Sequence, residues 1–120
     1  MIYGIGVDMV TVERLRNSLG RTAFAERVFS QAELAAFGSN AIKLAGCYAG
    51  KEAFAKVLGT GIRNFELSEV SVLRDNLGKP YYVFEGKAKQ IVEDLGGRVQ
   101  ISITNEGGYA VAFAVMEISL

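Results

Sequence analysis

Ala41-Ile42-Lys43-Leu44-Ala45-Gly46-Cys47-Tyr48-Ala49-Gly50-Lys51-Glu52-Ala53-Phe54-Ala55-Lys56-Val57-Leu58 is the stretch on which the fold turns. It holds no proline and many alanines, with apolar residues at Leu44, Tyr48, Ala55 and Leu58. That composition predicts a helix over Ala41–Leu58. Gly46 and Gly50 lie four apart, hence on one face, and let another element approach closely. Gly59-Thr60-Gly61 terminates the segment. Upstream, residues 2–11 form an apolar, β-branched run read as a buried strand. Thr11 or the next residue opens a helix that ends at Gly20. Phe24 to Phe29 reads as a short helical stretch, and Ser30 with Glu33 three residues on is a capping box opening a helix to about Phe37. Downstream, Phe65–Leu73 and Pro80–Phe84 read as strands flanking a turn at Asp75-Asn76-Leu77-Gly78-Lys79. Gly86–Leu95 reads as a helix stopped by Gly96-Gly97. Val99–Thr104 and Tyr109–Ile118 then form a hairpin across Asn105-Glu106-Gly107-Gly108. The expectation is an α+β domain with a mostly antiparallel sheet and one long helix.

The 120 residues suffice for one domain spanning 1–120, without repeat or linker. Thirteen basic residues balance thirteen acidic ones, so neither nucleic acid nor an anionic membrane is expected as a partner. Cys47 is the single cysteine, which excludes an intrachain disulfide and makes a reducing cytoplasm the expected location. No basic segment precedes the first apolar run, so no signal peptide is expected. Histidine is absent, which excludes a Ser-His-Asp triad, a Cys-His pair or a histidine-ligated zinc within the chain. Carboxylates, lysines, backbone amides or a bound metal must carry any chemistry.

Two carboxylates stand out. Alternation along the first strand puts Asp8 on one face with Ile2, Gly4, Gly6 and Val10. A carboxylate in such a run is costly unless a cation or several donors satisfy it. It is either a helix cap at the strand end or a metal ligand, and the pattern leaves both open. Glu52 and Lys56, four apart in the orientation that favours an ion pair, read first as a solvated surface bridge. In the alternative reading Glu52 is a metal ligand and Lys51 or Lys56 meets phosphate. Gly59-Thr60-Gly61 reads as an ordinary helix end or as backbone donors for an anion.

Gly4-Ile5-Gly6-Val7-Asp8-Met9-Val10, followed by Tyr48-Ala49-Gly50-Lys51-Glu52-Ala53-Phe54-Ala55-Lys56, resembles the paired signature of the 4′-phosphopantetheinyl transferases. Leu58-Gly59-Thr60-Gly61-Ile62, the Gly78-Lys79-Pro80 turn and the closing Ser102-Ile103-Thr104 strand are similar to the short, holo-synthase branch. The match spans nearly the whole chain, in order. The resemblance implies the transferase fold and transfer of 4′-phosphopantetheine from coenzyme A to a serine of apo-acyl carrier protein, releasing 3′,5′-ADP, in fatty acid biosynthesis. It implies Mg²⁺ held by Asp8 and Glu52, with the coenzyme A pyrophosphate completing the site, as suits a hard cation. Asp8, Glu52 and Lys56 become the expected catalytic residues, with Glu52 or a water held by the metal as base and Lys56 on the leaving phosphate. Lys51, Lys56, Gly59, Thr60, Gly61, Thr104 and Asn105 become the expected coenzyme A contacts. Arg14 and Arg21, with Arg27 nearby, become the docking cations for an acidic carrier protein. A homotrimer with active sites between subunits is also implied.

Two positions depart from the family pattern. Cys47 stands where an arginine is usual, and Asn105 where the last motif has histidine; both usual residues contribute to holding the coenzyme A 3′-phosphate. A hydrogen bond to a charged group contributes ~1.5–3 kcal/mol, so losing two weakens binding by roughly two decades. Lys43, Arg63 or the Gly59–Gly61 amides are the expected compensations. The opposing reading is a slow or inactive relative that keeps the fold as a carrier-protein-binding module.

Overall fold

The computed structural model describes residues 1–119. β1 (Ile2–Thr11) leads into three short helices, α1 (Val12–Leu19), α2 (Phe24–Val28) and α3 (Gln31–Phe37), and then the long α4 (Ala41–Leu58). A 3₁₀ turn at Leu67–Glu69 precedes β2 (Val70–Arg74) and β3 (Pro80–Phe84); α5 (Gly86–Leu95), β4 (Gly97–Glu106) and β5 (Tyr109–Ile118) follow. Every strand pair is antiparallel, but the strands form two sheets, β1-β5-β4 and β2-β3. Among the described residues no helix is long and apolar enough to cross a membrane.

α4 forms where the sequence predicts it because both ends are specified locally. The Asn40 side chain accepts from the Ile42 and Lys43 amides at 3.1 and 3.2 Å, and Gly59 takes the left-handed conformation that closes the helix. α4 is buried on nearly every side. Its small residues face the central strand, where Ala110, Ala112, Ala114 and Met116 are all fully buried. Opposite them, Phe54 packs against Phe65, Tyr82 and Phe84. The glycine spacing serves the approach that was expected of it: a β-carbon on Gly50 would lie 2.8 Å from both Ile101 and Val72.

Three expectations need correction. Residues 2–11 are not a buried strand, because α4 covers only one face of β1. Ile5, Val7 and Met9 on the other face are 53–62% exposed. Phe65–Leu73 is not one strand. The Glu66 amide bonds Glu69 Oε1 at 2.9 Å, which winds residues 67–69 into a turn, and Phe65 plugs the core beside Phe54. The last hairpin is longer than predicted, its first strand running from Gly97 to Glu106.

Candidate active site

Asp8 and Glu52 meet because β1 lies directly on α4. A β-carbon on Gly6 would overlap the Ala53 carbonyl oxygen, and one on Gly4 the Val57 carbonyl oxygen. Asp8 follows on the same side of the strand as these glycines, and Glu52 precedes Ala53 on the helix. Both carboxylates line one cavity of about 500 Å³, together with Thr11, Arg14, Arg21 and Tyr48. The cap reading of Asp8 fails, since α1 has no side-chain cap and its N-cap is Thr11.

The expected Glu52–Lys56 ion pair does not form. Lys56 turns to β1 instead and donates to the Val7 carbonyl at 2.9 Å and to Asp8 Oδ1 at 3.4 Å. Glu52 is left half-buried, and burial, followed by the Asp8 charge, pushes its carboxyl above the usual carboxylate range. Tyr48, one turn earlier on α4, lies against Glu52. Its hydroxyl is pushed up by burial first and by the Glu52 charge next. The sequence reading missed Tyr48 as a site residue, although its spacing of four from Glu52 was the available signal.

Two neighbouring carboxylates, one of them without a cation of its own, match a hard divalent ion. Among the described residues no group of three or more His, Cys, Asp or Glu forms a cage. Mg²⁺ usually takes one or two carboxylates from protein and the rest of its oxygens from substrate phosphate and water, so it needs no such cage.

Lys51 departs from its expected phosphate role. It is fully buried, and its ammonium donates to Glu33 Oε1 at 2.6 Å and to the Leu67 and Val70 carbonyls at 3.0 and 2.6 Å. No donor remains for a ligand. Glu33, read only as a capping residue, also accepts from the Ser30 and Val72 amides, both at 2.9 Å. Cys47 is buried too. Its thiol donates to the Val72 carbonyl at 3.4 Å, and burial pushes its pKa up.

The structure brings Asp8, Glu52, Arg14 and Arg21 to one cavity, with Lys56 at its Asp8 edge. Gly59, Thr60 and Gly61 are exposed about two helical turns beyond Glu52. The Gly59 amide is spent on the Lys56 carbonyl at 3.1 Å. Thr104 and Asn105 do not line the carboxylate cavity. Asn105 borders a separate hollow with Thr11, Val12, Arg16 and Ile42.

The model of the 4′-phosphopantetheinyl transferase superfamily matches residues 4–114. A holo-[acyl-carrier-protein] synthase of Clostridium acetobutylicum is 39% identical, over 98% of this chain and 99% of its own. The crystal structure of holo-[acyl-carrier-protein] synthase from Neisseria meningitidis superposes with a TM-score of 0.88 at 38% identity, covering 98% of this chain and 99% of that one. That of the Bacillus anthracis synthase in complex with CoA (3′,5′-ADP) gives 0.83 at 30% identity, covering 99% of both. With both signatures in order and their carboxylates lining one cavity between β1 and α4, the chain belongs to the 4′-phosphopantetheinyl transferase superfamily, as an enzyme of the holo-[acyl-carrier-protein] synthase type.

Proposed function

We propose that this enzyme transfers 4′-phosphopantetheine from coenzyme A to a serine of apo-acyl carrier protein, with Mg²⁺, in fatty acid biosynthesis. The observation that carries the reading is the Asp8–Glu52 pair in one cavity with Arg14 and Arg21. Asp8 and Glu52 hold Mg²⁺, which when bound neutralises charge on the coenzyme A pyrophosphate. The serine oxygen bonds to the β-phosphorus, the bond to the bridging oxygen breaks, and 3′,5′-ADP leaves. Glu52 is the side chain in the cavity placed to take the serine proton. Lys56, whose head is over half exposed, supports charge on the leaving phosphate from the Asp8 side. The exposed Arg14 and Arg21 guide an acidic carrier to the cavity mouth.

For the 3′-phosphate, Arg74 takes the place of the missing arginine. Its guanidinium donates to the Gly78 carbonyl at 3.0 Å and reaches to 3.9 Å from where a β-carbon on Gly46 would sit, and its charge is felt at the Cys47 thiol. Intact-mass spectrometry of apo-carrier protein with Mg²⁺ tests both points. Transfer from coenzyme A but little from its 3′-dephospho form is expected, with Arg74→Ala narrowing the difference about tenfold. Equal preference in that variant rejects Arg74. No transfer from either donor at any Mg²⁺ concentration leaves a carrier-binding module. In the same assay Arg14→Glu is expected to raise KM for the carrier about tenfold with kcat little changed; an unmoved KM rejects the docking role.

The homotrimer is proposed on the outer face of the β1-β5-β4 sheet. Ile5, Val7 and Met9 on β1 lie beside Tyr109 and Phe113 on β5, all more than 40% exposed. A contiguous apolar patch of this kind marks an interface. Asn105 sits away from its own chain's carboxylate cavity, which accords with a site completed by a neighbour. Light scattering should give the mass of three chains, and a monomer would exclude the shared site.

A further inference from the structure

α4 carries Glu52 on a surface poorly suited to fixing its own rotation. Against β1 it lays mainly backbone, the Ala53 and Val57 carbonyls under Gly6 and Gly4, and β5 presents only Ala110, Ala112 and Ala114. Flat surfaces of small side chains allow close approach but interlock through shallow ridges only. A helical side chain ends about 6 Å from the axis, so a turn of ~10° moves a carboxylate by about 1 Å. A functional carboxylate must be held to ~0.5 Å.

On the far side Phe54 packs against Phe65, Tyr82 and Phe84, and directional bonds add to that hold. The Lys51 ammonium has three acceptors from three different places: Glu33 on α3, Leu67 in the 3₁₀ turn and Val70 on β2. Glu33 is itself fixed by the Ser30 and Val72 amides. Both side chains are wholly buried. Lys51 and Glu52 are consecutive, about 100° apart on the helix, so the anchor of one sets the direction of the other. We propose that Lys51 and Glu33 are a positioning pair that fixes the rotation of α4 and thereby holds Glu52 opposite Asp8. The pair touches neither substrate nor metal. It acts through Glu52, and the inference rests on the reading of Asp8 and Glu52 as metal ligands.

Replacing a whole buried ion pair by apolar side chains of similar size is often neutral for stability, whereas breaking one side is costly. The E33M/K51M double variant therefore separates holding the fold from aiming Glu52. Mn²⁺ binding, followed by loss of the free-ion electron paramagnetic resonance signal with and without coenzyme A, is the readout, beside thermal melting. The double variant, which also takes a partner from the Ser30 and Val72 amides and the Leu67 and Val70 carbonyls, is expected to fold with a lowered Tm, to bind Mn²⁺ about tenfold more weakly, and to lose kcat with KM for the carrier unchanged. Val92→Ala, a cavity on α5, is the control; it should lower Tm and leave Mn²⁺ affinity alone. Mn²⁺ affinity within twofold of wild type in a folded double variant overturns the proposal. If the double variant does not fold, Glu33→Gln replaces it, with severalfold weaker Mn²⁺ binding expected and unchanged binding overturning. Absence of Mn²⁺ binding in the wild type would instead sink the metal-site reading on which the inference stands.

Discussion

Glu52→Gln will lower phosphopantetheine transfer by about three decades or more and raise the melting temperature of the metal-free enzyme. The loss follows if one carboxylate of two is both ion ligand and base, because glutamine keeps the shape but neither holds Mg²⁺ well nor takes a proton. The gain follows from the same geometry. Glu52 is half-buried beside Asp8, and the cation four residues on has turned to β1. Its folded pKa lies above its unfolded one, so at pH values above the folded pKa the ionised group costs the fold stability. That cost shrinks as pH falls through the folded pKa, and it is gone below the usual carboxylate range. The advantage of the glutamine variant should therefore be greatest near neutral pH and vanish by about pH 4. A rise of roughly 2–4 °C is expected, since the group is only partly shielded from solvent. Mg²⁺ should reverse the order by stabilising the wild type alone, by about 1.4 kcal/mol at ten times its Kd. Melting curves of both proteins with and without Mg²⁺, from pH 4 to 8, give the answer. A variant less stable than wild type without metal would mean that the Tyr48 hydroxyl and the Lys56 charge outweigh the burial of Glu52, and the predicted gain would fall.

The same residue shows where sequence stops informing. α4 was legible to the residue from its proline-free, alanine-rich run and the Gly59-Thr60-Gly61 stop, and in the structure Asn40 caps its start. The Ser30–Glu33 capping box was legible as a local pattern too, and both of its hydrogen bonds are present. Lys51 was not. A lysine beside a glutamate in a helix looks like an open cation, and its partner Glu33 is eighteen residues away on another helix. The capping box even concealed the partnership, since it supplied a sufficient reason for Glu33 to be there. Lys56 misled in the other direction, because its spacing from Glu52 is right for a pair and only the approach of β1 offers it better acceptors. Arg74, proposed above for the 3′-phosphate, was not among the expected compensations because its nearness to Gly46 exists only after folding. The apolar run 2–11 was read as a buried strand, and nothing in alternation says that only one face meets α4. Ile5, Val7 and Met9 on the other face stay exposed, and on that face the trimer is proposed.

Gly6→Ala is expected to cost about 3 kcal/mol and to weaken the carboxylate site at the same time. A β-carbon there would run into the Ala53 carbonyl oxygen and crowd the Lys56 β-carbon at 3.0 Å. The oxygen belongs to helix backbone and has no rotamer by which to give way, so β1 must lift from α4. β1 is in turn paired along its length with β5, whose Ala114 faces Gly6, so the lift strains the central sheet as well. Asp8 stands two residues beyond Gly6, and Glu52 is the residue before Ala53. The one contact that sets the strand–helix spacing therefore also sets the spacing of the two carboxylates. Gly20→Ala is the contrast. Gly20 has ordinary helical angles, and an added carbon would meet only the Asn17 carbonyl oxygen at 3.4 Å, so that variant should melt at or slightly above wild type. Thermal unfolding of both, with Mn²⁺ affinity measured on the folded fraction, separates the cases. A drop of roughly 12 °C or more with weakened Mn²⁺ binding is expected for Gly6→Ala. If it melts with wild type, β1 does not rest on α4 backbone to backbone, and the approach that brings Asp8 to Glu52 goes with it.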